Sequence, residues 1–246
     1  MSSISEAGHA KNVANFDELI SFVTSYGATY NPSKAGIKLA ALQALAANAK
    51  NTIGAVNTAL PAYSNAVSAR DAAFAPLSKL MTRVSNAIKA TDTTEQVDKS
   101  AKALIRKLQG TRATPKKTEE EKAAAKADGN QIKEVSSSQM SYDNRLNNLD
   151  KLIKLLASIP LYAPNEVELK VATLTALYND LKAKNAAVVA ATTPLSNARI
   201  ARNDLLYKPN TGLVDIALDT KTYIKSLFGA TSPQYKQISG LKFKAR

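Results

Sequence analysis

The residues best suited to bind an anion are seven basic side chains near the middle of the chain, with no acidic residue among them. They are Lys99, Lys102, Arg106, Lys107, Arg112, Lys116 and Lys117. At about 100° per residue, Lys102 and Arg106 share one face of a predicted helix and Lys99 is less well aligned, which permits contacts with phosphates. A second basic group, Lys242, Lys244 and Arg246, ends the chain. Because three glutamates follow the cluster and no aromatic residue is interleaved for base stacking, a solvated helix face is favoured over nucleic-acid binding.

A second set of polar residues occurs twice at similar spacing. Asn65 and Arg70 follow Pro61, and Asn197 and Arg202 follow Pro194. These residues could line a ligand site, with the two arginines as the first candidates to contact an anion. They could equally donate hydrogen bonds to the carbonyls that the prolines leave without donors, or fix the register of packed helices. We favour the structural role and expect the two groups to have the same local structure.

Several kinds of chemistry are excluded by residue type. The chain has no Cys, so it forms no disulfide, thiolate nucleophile or Cys-ligated metal site. His9 is the single histidine, which excludes a site built from several histidines of one chain. No Gly-rich phosphate loop or nucleophile elbow is present. We therefore predict a protein without enzymatic activity, cofactor or metal.

The formal net charge of +13 favours anionic partners such as nucleic acid, acidic proteins or anionic lipid surfaces. The start of the chain lacks the pattern of a signal peptide, and no stretch approaches the ~20 apolar residues of a membrane span. The expected location is the cytoplasm.

The elements that must position these residues are helices. The apolar residues are mostly Ala and Leu, there is no Trp, and aromatic residues make up 6% of the chain, which is typical of an all-α protein. One long segment occurs twice, as Tyr30–Phe74 and Tyr162–Leu206. Each copy begins with a Tyr-x-Pro connection whose tyrosine is predicted to pack over a helix start, its hydroxyl reaching solvent or a backbone carbonyl.

The repeat predicts an elongated all-α bundle built from two similar halves. Its parts are a flexible tail at 1–11, a first helical repeat at 12–110, a charged linker at 111–137, a second helical repeat at 138–229 and a basic C-terminal tail at 230–246. Apolar residues of that last tail, Tyr235 and Ile238 among them, are expected to dock. In each long helix a proline is expected either to kink the helix or to end it.

Local signals place several helix ends. Asn15, Ser33 and Asn165 are the predicted N-caps of the first helix and of the two long helices. Leu77–Ala90 and Thr94–Gln109 are predicted as two helices because an insertion around Thr91–Thr94, which the second repeat lacks, separates them.

Several stretches resemble one family of proteins. These are Gly27–Ser33, Lys107–Lys122, Asn148–Pro160, Thr193–Asp204 and Phe228–Phe243. They resemble internally duplicated helical proteins of Bacteroidota, of flavobacterial type. The resemblance implies a bacterial, cytosolic, helical protein and carries over no catalytic or binding residue.

Duplicated long helices without a chemical site predict a structural or protein-interaction scaffold that binds a partner protein or itself. The alternative is a nucleic-acid-binding protein acting through the basic cluster and the basic tail. A membrane-active helical protein is the weaker alternative, because the hydrophobic segments are rich in Ala and contain proline.

Overall fold

The computed structural model describes residues 7–111, 118, 120, 124 and 140–245. All regular elements in these residues are helices, which confirms the all-α helical bundle. The α-helices are α1 (Ala7–Ser25), α2 (Leu39–Phe74), α3 (Leu77–Lys89), α4 (Glu95–Gln109), α5 (Tyr142–Ala157), α6 (Val171–Tyr207), α7 (Leu213–Phe228) and α8 (Pro233–Ser239). Most of the predicted charged linker, 111–137, lies outside the described residues.

The chain divides into two compact units. Unit 1 comprises residues 1–64 and 190–246, and unit 2 comprises residues 65–189. Both boundaries fall within long helices, between Ser64 and Asn65 of α2 and between Val189 and Ala190 of α6. Each unit therefore combines segments of both predicted repeats.

The core of unit 1 joins α1 and the start of α2 to the end of α6 and to α7. Its fully buried side chains include Phe16, Leu19, Leu42, Leu206, Leu213 and Ile224. The core of unit 2 joins the end of α2, α3 and α4 to α5 and the start of α6. Its fully buried side chains include Met81, Val84, Leu108, Leu149, Leu156 and Leu181.

Both long helices continue through their prolines. Pro61 lies inside α2 and Pro194 inside α6. A proline has no backbone N–H, so the carbonyls of Asn57 and Ala190 lose the donor that normally lies four residues later. Of the two predicted outcomes, termination at the proline is wrong.

The first helix begins earlier than predicted. Residues Ala7–Lys11, assigned to a flexible tail, form the first turn of α1, and Asn15 lies inside the helix instead of capping it. The side chain of Asn15 takes part in a distant contact: Asn15 Nδ2 donates to the Lys242 carbonyl at 2.8 Å, and Asn12 Nδ2 donates to the Lys244 carbonyl at 2.9 Å. The Lys244 N–H in turn donates to Asn12 Oδ1 at 3.0 Å.

The segment predicted as a basic C-terminal tail docks as expected. It contains α8, and the Ile238 side chain is completely buried. Tyr235, Leu241 and Phe243 are partly buried against the same core. Two asparagines of α1 hold the backbone that follows.

The entries to α2 and α6 differ from the predicted caps. A 3₁₀ turn precedes each helix, at Ala35–Ile37 and at Val167–Leu169. Ser33 and Asn165 lie before these turns and do not cap the α-helices, so both predicted caps are wrong. Among the described residues, we find no helix with the length and apolarity that a membrane crossing requires.

Candidate functional site

The two repeated tyrosines hold the chain at the entry to each long helix. Tyr30 Oη donates to the Ile37 carbonyl at 2.6 Å, and Tyr162 Oη donates to the Leu169 carbonyl at 2.9 Å. Both side chains are buried, and burial raises the pKa of Tyr30 to about 12. Burial also raises the pKa of Tyr162, and the negative charge of Glu166 adds to the effect. The structural interpretation of these tyrosines is confirmed.

Arg70 belongs to a polar cluster inside unit 2. Its guanidinium lies over the Tyr142 ring, 3.8 Å from the centroid, and its Nη1 donates to Asn185 Oδ1 at 3.4 Å. Tyr142 Oη donates to Asp71 Oδ1 at 2.6 Å, which raises the pKa of the tyrosine. These contacts join α2, α5 and α6, so Arg70 already has the interhelical role that was favoured for it.

Arg145 closes the end of α2 beside this cluster. Its Nη2 donates to the carbonyl of Phe74, the last residue of α2, at 3.1 Å, and its guanidinium lies 4.9 Å from the centroid of the Phe74 ring. Burial lowers the pKa of Arg145. The C-terminal end of α2 thus lies next to a cation, which is favourable because the C-terminus of a helix carries a partial negative charge.

The other repeated polar residues differ from one another. In unit 1, Arg202 is 2% exposed, and its Nε and Nη2 donate to Asn203 Oδ1 at 3.2 and 2.9 Å. Asn65 and Asn197 are exposed, and neither amide forms a hydrogen bond within the described part of the chain. Arg70 therefore contacts two other helices, whereas these hydrogen bonds of Arg202 lie within α6, so the two groups differ in these contacts.

The predicted anion-binding cluster is only partly described. Lys99, Lys102 and Arg106 lie on α4, where Lys99 pairs with Glu95 at 2.7 Å; Lys102 and Lys107 are exposed. Lys89 of α3 joins Lys99 and Lys102 at a small cavity of about 200 Å³ that Glu95 and Asp98 also line. Lys242 and Lys244 are exposed in unit 1. The remaining predicted contacts, Arg112, Lys116, Lys117 and Arg246, lie outside the described residues.

A larger surface feature lies in unit 2, and we call it the α3 groove. It is an open groove of about 650 Å³. One side is the C-terminal half of α3 and the turn after it, with Arg83, Asn86, Ala87, Ala90, Thr91 and Asp92. The other side is the connection that leads to α6, with residues 161–166 and Leu169. Buried Tyr162 and Leu169 fix the backbone of that connection, as described above.

The walls of the α3 groove are held by polar contacts. Arg83 Nη2 pairs with Glu168 Oε2 at 3.0 Å, joining α3 to the 3₁₀ turn at 167–169. At the end of α3, Thr91 Oγ1 donates to the Ala87 carbonyl at 2.9 Å. The Arg83–Glu168 pair therefore connects the two sides of the groove.

Apolar and acidic side chains are exposed at the α3 groove. Leu161, which lines the groove, is 62% exposed, and Val167, in the 3₁₀ turn of the same connection, is 65% exposed. Asp92 and Glu166 line the groove and are exposed, and neither pairs with a cation among the described residues. The last carbonyls of α3 also point toward this end, which adds negative potential. The surface thus offers apolar contact beside negative charge.

The equivalent connection of unit 1 has different surface residues. Aligning Tyr30 with Tyr162 places Thr29, Lys34 and Ala35 at the positions of Leu161, Glu166 and Val167. Lys34 pairs with Asp219 of α7. The connection of unit 1 therefore supplies the cation of its ion pair, whereas the connection of unit 2 supplies the anion, Glu168. Asp92 lies in the insertion predicted to distinguish the first repeat from the second. Leu161, Glu166 and Val167 are thus among the positions at which the two predicted copies differ.

Sequence reasoning missed this groove because its two sides are about seventy residues apart in the chain and neither carries a motif. A comparison of the two predicted copies does not single out Leu161, Glu166 or Val167, because between residues 30–37 and 162–169 only the tyrosine and the proline are identical. Comparison with protein-family models, curated proteins and solved structures finds no match to this chain. The resemblance to Bacteroidota proteins stays a prediction.

Proposed function

We propose that the protein is a non-enzymatic interaction scaffold that binds a partner protein at the α3 groove. The observation that carries this proposal is the groove of about 650 Å³ with Leu161, 62% exposed, in its lining. Scattered exposed apolar residues are common on protein surfaces, whereas an exposed apolar side chain in the lining of a groove can be buried by a partner that enters the groove. The paired Arg83 and Glu168 and the buried Tyr162 support this role, because a preformed surface loses less conformational entropy on binding.

A photo-crosslinking amino acid at Leu161 tests the proposal in the cells that make the protein naturally. We expect a protein adduct at Leu161. The matched control places the same amino acid at Lys151, an exposed position of α5 in unit 2. The same adducts at both positions, or no adduct at Leu161, would contradict the proposal.

Nucleic-acid binding is a second candidate, supported by the exposed Lys89 that lies with Lys99 and Lys102 between α3 and α4. The acidic residues at the same cavity and the Lys99–Glu95 pair reduce its positive potential. Binding to mixed DNA and RNA at ~50 mM salt, where electrostatic association is strong, tests this candidate. Absence of binding there, or equal binding by a Lys89→Ala, Lys102→Ala variant, would remove it.

A further inference from the structure

We infer that the α3 groove receives a basic segment of a partner protein, in which an apolar side chain contacts Leu161 and flanking Lys or Arg residues contact Asp92 and Glu166. The inference rests on the proposed function of the groove and adds the chemistry of the partner. It follows from the charges that remain after the internal ion pairs are formed.

The acidic residues at the groove are not equivalent. Glu168 pairs with Arg83 at 3.0 Å, so these two charges offset each other. Asp92 and Glu166 remain, both exposed and both lining the groove. A cation placed between the two sides would lie near two carboxylates. Among the described residues that line the groove, the basic one is Arg83, and it is paired with Glu168.

The end of α3 adds to the same field. Residues Asn86, Ala87 and Ala90 of the last turn and C-cap line the groove. The C-terminus of a helix carries a partial negative charge and favours cations within its last turn. Three separate elements, the turn at Asp92, the connection at Glu166 and the end of α3, therefore favour positive charge at one place.

The apolar part of the partner is indicated by Leu161, which lines the groove and is 62% exposed. Burying apolar surface supplies most of the free energy in protein association, and charged groups at the edge chiefly select the partner. The groove therefore requires both features in one segment: an apolar side chain for Leu161 and basic side chains on either side of it.

The net charge of the whole chain and the local charge at the α3 groove favour opposite kinds of partner. At +13, the protein as a whole attracts acidic partners and repels basic ones at long range. Within a Debye length of about 8 Å at physiological salt, the local carboxylates decide the interaction. An acidic segment that reached the groove would meet like charges at Asp92 and Glu166.

The two copies provide a variant that is expected to fold. Leu161→Thr, Glu166→Lys and Val167→Ala together give the second connection the residues of the first, which adopts a 3₁₀ turn at the equivalent positions. This triple variant keeps Tyr162, Leu169 and the Arg83–Glu168 pair. Circular dichroism should match that of the unaltered protein.

The test pans a displayed library of random short peptides on the full chain and counter-selects on the triple variant. We expect the enriched peptides to combine an apolar residue with Lys or Arg on both sides. Asp92→Asn and Glu166→Gln should each weaken a selected peptide by roughly one-and-a-half to fivefold, the range for one exposed ion pair. Lys151→Ala should leave its binding unchanged.

The outcomes separate this inference from the proposed function. Groove-dependent peptides that are acidic or uncharged would overturn the basic segment and leave the scaffold proposal standing. A selection that yields no groove-dependent peptide would overturn the inference, and crosslinking at Leu161 would then judge the scaffold proposal by itself. Self-association by light scattering that disappears with Glu166→Gln would show a second copy as the occupant and would also overturn the inference.

Discussion

The Tyr30→Phe substitution tests how the entry to a long helix is held. It removes one hydroxyl and leaves the ring, including its edge-on contact with Tyr223 at 5.2 Å between centroids. The hydrogen bond from Tyr30 Oη to the Ile37 carbonyl, 2.6 Å long and buried, is lost. Because the carbonyl stays buried without a donor, we expect the free energy of unfolding to fall by about 1–3 kcal/mol at neutral pH.

The same hydroxyl predicts a pH dependence. Burial raises the pKa of Tyr30 from 10.0 to about 12 in the folded protein. Between these values the unfolded state releases the proton more readily, so the contribution of Tyr30 to stability is fully present below pH 10 and is lost as pH rises to 12. The loss is on the order of 2–3 kcal/mol, since one pKa unit corresponds to about 1.4 kcal/mol. The Phe variant has no such proton.

The measurement is urea unfolding followed by circular dichroism, at neutral pH and between pH 10 and 12. The cost of Tyr30→Phe should shrink at the higher pH. The circular dichroism signal in urea unfolding comes from both units together. Hydrogen exchange measured peptide by peptide should therefore show that the loss of protection lies in unit 1. Tyr162→Phe is the matched variant and should lower protection in unit 2. A change below about 0.5 kcal/mol at neutral pH, or a cost that does not vary with pH, would refute this account of the hydroxyl.

Two further predictions concern α2 and α1. Pro61→Ala gives the Asn57 carbonyl its missing donor within an exposed stretch of α2 and should stabilise the protein by about 1–3 kcal/mol in urea unfolding; a loss of stability would show that packing requires the proline. Asn12→Ala removes both hydrogen bonds to the Lys244 backbone and should speed tryptic cleavage after Lys242 and Lys244. Unchanged cleavage would mean that those hydrogen bonds do not hold the C-terminal segment.

Some helices could be predicted closely because their signals are local. The predicted spans Leu77–Ala90 and Thr94–Gln109 agree with α3 and α4 to within one residue at either end. Pro76 immediately precedes α3, and Gly110 ends α4 with a positive φ of 71°. Such residues act on the backbone next to them, so their effect is visible in the sequence.

Other features depend on contacts between distant residues. The side chain of Asn15, predicted as a cap, instead donates to the backbone carbonyl of Lys242, 227 residues away. The caps predicted at Ser33 and Asn165 fail because buried tyrosine hydroxyls hold a 3₁₀ turn after them. The α3 groove combines Asp92 with Leu161 and Glu166. Periodicity and capping patterns carry no information about such pairings.

The distribution of each core between the two predicted repeats has a direct consequence for fragments of the chain. In unit 1, Phe16 and Leu42 of the first repeat share a core with Leu213 and Ile224 of the second, and all four are fully buried. Each such side chain contributes about 1.5–3 kcal/mol by burial, so losing those that one repeat supplies costs an amount comparable with the ~5–15 kcal/mol stability of a typical domain.

A chain cut within 112–139 should therefore give two fragments that are each poorly folded and that restore the helical circular dichroism when mixed. Light scattering should show a one-to-one complex. A fragment of either repeat that folds cooperatively alone would contradict this reasoning, because it would show that one repeat can complete a core without the other.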